Sequence, residues 1–341
     1  MALLKRLTVR LLFVLTLAVV VRPAVAAGSL RVGYIPIIPM SQLFVIAGKG
    51  WDKQAGLDLQ MTPYSSGPAM LAALKDKDLD AVYFGIIPAM TARAMDIPLK
   101  VLASAVVEQV GLVARGTFSD MLHGLEAKEA ILRFKTDQQR RLRIATLPKG
   151  SVPDTVGRYW LTKGLGLTEE AVTWVRMGTD DVLDALLAGS VDAAVILEPI
   201  LTLVAEQLPG ARVIARAAQM LPGQAGSVLA AREDVIATRE NDITTLVNLH
   251  LRATRLLTDH PDAAAPHVAA FLGNTPLSNT PLSNETLGKA LAASRFVADP
   301  HVIAEPSRKM RAFQAESDPS IGDVTLADLF DTRIYDRLVK P

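Results

Sequence analysis

Apolar and polar positions fall into two similar series along the chain. SLRVGYIPI (29–37) and LDLQMTPY (57–64) alternate with the two-residue period of a strand. LDAVYFGII (79–87) and LKVLASAVV (99–107) are continuous apolar runs of buried-strand length. Between them, SQLFVIAGKGWDKQAG (41–56), SSGPAMLAALKDKD (65–78) and PAMTARAMD (88–96) read as helices. Ser41 is the expected N-cap of the first and Gly56 its stop, while Pro68 fits the first turn of the second, where its missing N–H is harmless. A second series starts at LRIATL (142–147). It continues with a helix over 149–164 capped by Ser151, a strand at 171–177 and a helix at 179–189 capped by Thr179. A strand at 191–199, a helix at 200–208 and a strand at 211–217 complete it.

The two series share a corner. LKDKDLDAV (74–82) and LLAGSVDAA (186–194) each close a helical pattern, turn, and open an apolar run on Asp-Ala. Each run then reaches a proline, in FGIIP (84–88) and LEP (197–199). The repeated order predicts an α/β protein of two lobes, each a mainly parallel sheet flanked by helices. The helix-prone segment 117–141 is assigned to the second lobe. SVLAARED (227–234) reads as a strand returning to the first lobe, and from 239 onward the pattern is helical, with Ile243, Leu246, Val247, His250, Ala253 and Leu257 on one stripe. NTPLSNTPLSNE (274–285) is a tandem repeat of turn residues, expected as a surface loop. The expected boundaries are 1–26 for a leader, 27–108 for the first lobe, 109–222 for the second, and 223–341 for the return and C-terminal helices.

The leader changes the picture of address. Lys5, Arg6 and Arg10 precede LLFVLTLAVVV (11–21), and Ala24-Val25-Ala26 offers a small-x-small cleavage site, the pattern of a secretory signal peptide cut near Ala26. The apolar run is too short to span a membrane, which takes about 20 residues. Its removal takes four cations and no acid from a formal net charge of +1, leaving a mildly acidic chain with no basic patch for nucleic acid. There is no cysteine, so disulfides, thiol nucleophiles, thiolate metal sites and a lipid-modified cysteine are excluded. The expected product is soluble in a periplasm.

Enzyme signatures are missing. No G-x-S-x-G, no G-x-x-x-x-G-K-[ST] and no H-E-x-x-H occurs, and the five histidines lack metal-ligand spacing. Asp180-Asp181 and Asp76/Asp78/Asp80 read as helix-start and solvated carboxylates. Binding chemistry remains. In an open parallel sheet, ligands sit where strands end and helices begin, and helix N-termini offer unpaired N–H groups. Five such points stand out: Met40 and Ser41; Ser65, Ser66 and Gly67; Lys149, Gly150 and Ser151; Gly85 and Ile86; and Glu198. Spread over two lobes, they are expected to face one another across a cleft.

These residues carry a family likeness. GKGWDKQAGLDLQ (48–60), the block 64–105 beginning YSSGPAM, and PKGSVPDTVGRYWL (148–161) resemble the periplasmic substrate-binding proteins of ABC transporters. The group in question takes nitrate, taurine, aliphatic sulfonates and thiamine-precursor pyrimidines. The likeness spans about 30 to 337. It implies two lobes joined by two hinge crossings and a monomer that captures a small molecule and delivers it to a permease with a cytoplasmic ATPase. It implies neither catalysis nor cofactor nor metal. Family ligand contacts map to Ser66, Gly67, Gly150 and Ser151, with Glu198 at the family's position before proline. The chain departs from the pattern at Asp96 and Asp76-Lys77, where the family often has glycine. It also has no arginine in the five loops, and Lys149 is their one cation. A ligand with an apolar body and one polar end therefore fits better than a bare anion. The alternatives are a ligand sensor docking on a membrane receptor kinase, or an enzyme on the same bilobal fold.

Overall fold

The computed structural model describes residues 29–272 and 282–340. The leader and most of the TPLSN repeat lie outside them. The chain first lays down β1 (Ser29–Tyr34), α1 (Ser41–Gly48), α2 (Trp51–Gln54), β2 (Asp58–Pro63), α3 (Leu71–Lys75), β3 (Ala81–Gly85), α4 (Ile86–Ala94) and β4 (Leu99–Val107). It then crosses into β5 (Val110–Ala114), α5 (Gly116–Met121), α6 (Ala127–Asp137), β6 (Leu142–Thr146), α7 (Val152–Tyr159), β7 (Val172–Arg176), α8 (Thr179–Ala188), β8 (Ala193–Leu197), α9 (Ile200–Gln207) and β9 (Arg212–Arg216). It crosses back through α10 (Ala217–Met220) into β10 (Ala225–Arg232). The rest is α11 (Glu233–Thr238), α12 (Glu240–Asp259), α13 (Pro261–Leu272), α14 (Asn284–Ala292), β11 (Arg295–Phe296), α15 (Ala304–Ala315), α16 (Pro319–Gly322), α17 (Leu326–Leu329) and α18 (Arg333–Val339).

Two sheets result, in the orders β11-β4-β10-β3-β1-β2 and β7-β6-β8-β5-β9. In the first, β1, β2 and β3 pair in parallel, and β10 runs antiparallel between β3 and β4. In the second, β6 pairs in parallel with β7 and β8, and β5 runs antiparallel between β8 and β9. The sheets therefore repeat one design, in which the inner antiparallel strand is delivered by a crossing from the other lobe; the first sheet adds the short antiparallel edge strand β11.

The shared corner is the clearest mark of the repeat. Asp80 accepts from the Arg31 backbone N–H at 2.9 Å and Asp192 from that of Arg143 at 2.8 Å. The Asp80 N–H donates to the Arg31 carbonyl at 2.8 Å and the Asp192 N–H to the Arg143 carbonyl at 2.9 Å. Each carboxylate also takes a two-pronged guanidinium, from Arg31 on Asp80 and from Arg140 on Asp192. The aspartates thus tie the start of the central strand to its parallel neighbour with charge-assisted bonds.

Several expectations change. The helix over 41–56 is two helices, because Gly50 turns the chain at φ 61; Gly48, the last residue of α1, lets α13 pack where a Cβ would lie 2.9 Å from His267 Cβ. Ile86 and Ile87 do not end β3. They open α4, with Pro88 in its first turn, where the fixed φ of proline suits a helix. Ser41 and Thr179 are the first residues of their helices and not their caps, which are Met40 and Gly178. Ser151 does cap α7, accepting from the Asp154 N–H at 3.3 Å. Strand β5 was not expected at all. The predicted stripe on α12 is buried, including His250, which is fully enclosed. Its Nε2 faces the Ser104 carbonyl at 2.7 Å and so carries the proton, leaving Nδ1 to accept from Tyr83. Burial pushes this imidazole down to about 4, so it stays neutral.

Candidate ligand-binding cleft

The C-terminal ends of the parallel strands of the two sheets meet. Gly85 ends β3 of the first sheet, and Val152 opens α7 behind β6 of the second. A Cβ on Gly85 would lie 2.8 Å from Val152 Cγ2, so only glycine allows this approach of one lobe to the other.

On the first-lobe side the loop after β1 is apolar and buried: Ile35, Ile37, Ile38 and Met40. Ser41 is fully buried, and its hydroxyl donates back to the Ile38 carbonyl at 2.6 Å, closing the turn. The loop after β2 is tied to it by the Tyr64 N–H on the Tyr34 carbonyl at 2.8 Å. Ser65 is exposed there, and Ser66 and Gly67 are buried. Gly67 lies against the start of α4, where an added Cβ would sit 2.5 Å from Pro88 Cγ. No side chain caps α4, whose N-cap is Gly85 and whose first residue is Ile86.

On the second-lobe side the loop after β6 turns at Gly150, whose φ of 81 requires glycine and whose missing Cβ would meet open space. Lys149 is exposed and Ser151 buried. Glu198, just past the end of β8, is buried and accepts from the Thr202 N–H in the first turn of α9 at 3.0 Å. Burial raises its carboxyl above the usual value, against the lowering effect of the Thr202 bond and of the Arg216 charge. Glu198 therefore has a structural task of its own.

Three further features lie at these strand ends, outside the five loops that the sequence marks. The loop after β7 is anchored by the Met177 N–H on the Thr146 carbonyl at 3.0 Å, and it leads into α8 through Gly178, with no side-chain cap. The hydroxyls of Thr146 and Thr179 are buried there without a hydrogen-bond partner. Nothing in the apolar Met177-Gly178 step marks a polar site, and only the placement of α8 beside β6 and β8 reveals it. Asp180, next in α8, is raised above the usual carboxylate range by burial and then by the charges of Asp181 and Asp184. Arg216 ends β9 near Glu198, so a cation borders the cleft from a strand end outside the five loops. The edge as a whole offers hydroxyls, helix N-termini and apolar contact, the means of holding a small molecule. Among the described residues, no group of three or more His, Cys, Asp or Glu is arranged to hold a metal. No described helix is long and apolar enough to cross a membrane.

Residues 24–273 match the model of the NMT1-like family. The chain belongs to that family. It is 26% identical over 269 residues to proteins of Brucella abortus (strain 2308) and Brucella suis biovar 1 (strain 1330), each provisionally named a binding protein. Each match covers 77% of this chain and 78% of the relative. Solved structures share the fold at low identity. The ligand-binding component of an ABC-type import system from Staphylococcus aureus, with zinc bound, superposes with a TM-score of 0.73 at 14% identity. That match covers 92% of this chain and 99% of the other. The alkanesulfonate-binding protein of Xanthomonas axonopodis pv. citri bound to MOPS gives 0.68 at 18% identity, over 86% and 94%. The periplasmic nitrate-binding protein of Synechocystis gives 0.72 at 11% identity, over 92% and 88%. The chain thus shares the fold of these solved binding proteins.

Proposed function

We propose that this chain is the periplasmic solute-binding component of an ABC importer. It captures a small organic ligand between its lobes and delivers it to a membrane permease driven by a cytoplasmic ATPase. The observation that carries this reading is the meeting of strand ends from two separately built sheets at Gly85 and Val152. A ligand held there touches both lobes, and so favours their closed arrangement by differential binding. The proposed contacts are Met40, Ser41, Ser65, Ser66, Gly67, Gly85 and Ile86 from one lobe, and Lys149, Gly150, Ser151 and Glu198 from the other. Gly178 and Thr179 join them. The mix of an apolar first-lobe loop with hydroxyls and few cations favours a sulfonate, carboxylate or pyrimidine with an apolar body over a bare inorganic anion. The protein acts as a monomer without catalysis or cofactor, after its leader is cut near Ala26.

Thermal shift against MOPS and other sulfonates, aromatic carboxylates, pyrimidines, nitrate and sulfate tests the reading. Stabilisation is expected from members with an apolar body. A response to nitrate or sulfate alone overturns the ligand class. Ser151→Trp fills the space between the lobes and is expected to abolish the shift while the variant stays folded. An undiminished shift moves the site elsewhere.

A further inference from the structure

Helix α15 follows β11 of the first sheet, yet it packs against helices of both lobes. It touches α4, whose N-terminus is Gly85-Ile86, and α7, whose N-terminus is Gly150-Ser151. The contact with α7 is buried and polar. Gln314 Oε1 accepts from Arg158 Nη2 at 3.0 Å and lies 3.4 Å from the Thr155 hydroxyl, whose proton goes to the Ser151 carbonyl at 2.9 Å. Arg158 Nε donates to Asp154 at 3.2 Å, and Asp154 also takes Arg176 at 2.8 Å. Asp154, Arg158 and Gln314 are 0, 4 and 3% exposed, so this chain of bonds is shut off from water. Phe313 adds an edge contact to Tyr159 at 5.3 Å and lies under the Arg158 guanidinium at 5.4 Å.

The charges explain the choice of an amide at 314. Arg158 and Arg176 are already matched by Asp154 and Glu169, the last at 3.0 Å from Arg158. Gln314 gives Arg158 Nη2 an acceptor without upsetting that balance. The Asp154 N–H, at the other end of the chain of bonds, donates to the Ser151 hydroxyl oxygen at the cleft.

We infer that Gln314 and Arg158 are positioning residues that latch the two lobes together through α15 and thereby set where the Gly150-Ser151 turn sits opposite Gly85. Turning the second lobe away breaks this charge-assisted bond, which disfavours opening. The consequence for ligand capture rests on the cleft reading above, but the latch itself does not.

The test is an interlobe distance measured without ligand. The natural chain has no cysteine, so Gln54→Cys on α2 and Lys135→Cys on α6, both exposed positions, accept a pair of spin labels specifically. In the otherwise wild-type chain the short distance should dominate. Gln314→Leu, similar in size but without the acceptor, should raise the ratio of open to closed forms by roughly 10-fold or more, as for loss of a hydrogen bond to a charged group. If Gln314→Leu fails to fold, Phe313→Ala removes both ring contacts and should open the pair in the same direction. A folded Gln314→Leu or Phe313→Ala with the wild-type distance distribution overturns the latch. Because no ligand enters the measurement, a failed ligand screen leaves the latch standing, and a failed latch leaves the cleft reading standing.

Discussion

The two lobes solve one folding problem with the same aspartate but different surroundings. Asp80 and Asp192 both reach back to a backbone N–H on the neighbouring strand and both hold a forked arginine. Their cations differ. Asp80 lies 3.7 Å from the buried Arg232 as well as bonding the half-exposed Arg31, whereas Asp192 is matched by Arg140 and Arg143, each about two-fifths exposed. The same corner is therefore drier in the first lobe. Arg232 keeps Asp234 and the Leu79 carbonyl when Asp80 is lost, but being buried it cannot replace the lost counter-charge with water, so the loss should cost more in the first lobe.

That contrast gives the largest expected effect. Asp80→Ala should destabilise by about 3 kcal/mol and Asp192→Ala by about 2 kcal/mol, read from urea unfolding midpoints. Equal losses would mean that burial of Arg232 contributes nothing to the difference. The pH dependence follows from the same bonds. Burial pushes both carboxyls up, but the bonds and charges of Arg31 and Arg232, or of Arg140 and Arg143, outweigh it and hold them below the usual value of 3.8. Their stabilisation is complete above that value and is lost as pH falls through the lowered folded-state values. Asp80→Asn and Asp192→Asn should each flatten the loss of stability in acid below about pH 4.

The turn before each aspartate differs too. Helix α8 ends on Gly189 at φ 72, while the matching turn after α3 uses Lys77 at φ 62. Gly189→Lys, which copies the first lobe into the second, should cost about 1–2 kcal/mol for the left-handed backbone. Its new Cβ would also press on the Arg115 guanidinium, which must move. A smaller loss in urea unfolding would show that this corner relaxes freely.

Strand ends show the opposite electrostatics from strand starts. Burial raises Glu198, the largest influence on it, so its ionised form is disfavoured in the fold. That penalty is absent below the ordinary glutamate value of 4.5 and grows as pH rises through the raised folded-state value. Glu198→Gln keeps an acceptor for the Thr202 N–H and should raise the melting temperature at pH 7, with the gain vanishing below about pH 4.5. A destabilised variant at pH 7 would show that the neighbouring Arg216 charge outweighs desolvation.

Much of this was legible beforehand, for identifiable reasons. The Asp-Ala corners and the Ser151 cap are local, and local signals survive without knowledge of the fold. Strand β5 was missed because its five residues, Val110–Ala114, follow β4 after only Glu108 and Gln109 and are too few to show a period of their own. The site loop at Gly178-Thr179 was missed because its polar character lies in backbone ends and in Thr146, which is 33 positions away in sequence and adjacent only in the sheet. Even the departures from the family pattern carried information. Lys77 and Asp96, where glycine is often found, both have positive φ in the structure.

The smallest expected effect bears on that last point. Lys77→Gly removes a left-handed lysine, a relief of about 1 kcal/mol. It also removes the exposed pair with Asp234 at 3.1 Å, and such pairs contribute about 0–1 kcal/mol. Asp234 keeps Arg232, the first cause holding its carboxyl at about 2, so no carboxylate is stranded. Glycine adds some entropy to the unfolded chain, which trims the gain. The net should be a stabilisation of about 0.5 kcal/mol, seen as a rise of about 1 °C in the melting temperature. A fall instead would mean that the lysine is kept for its pair with Asp234, and the first lobe's corner would then be stabilised through its surface charge where the second is stabilised through its glycine.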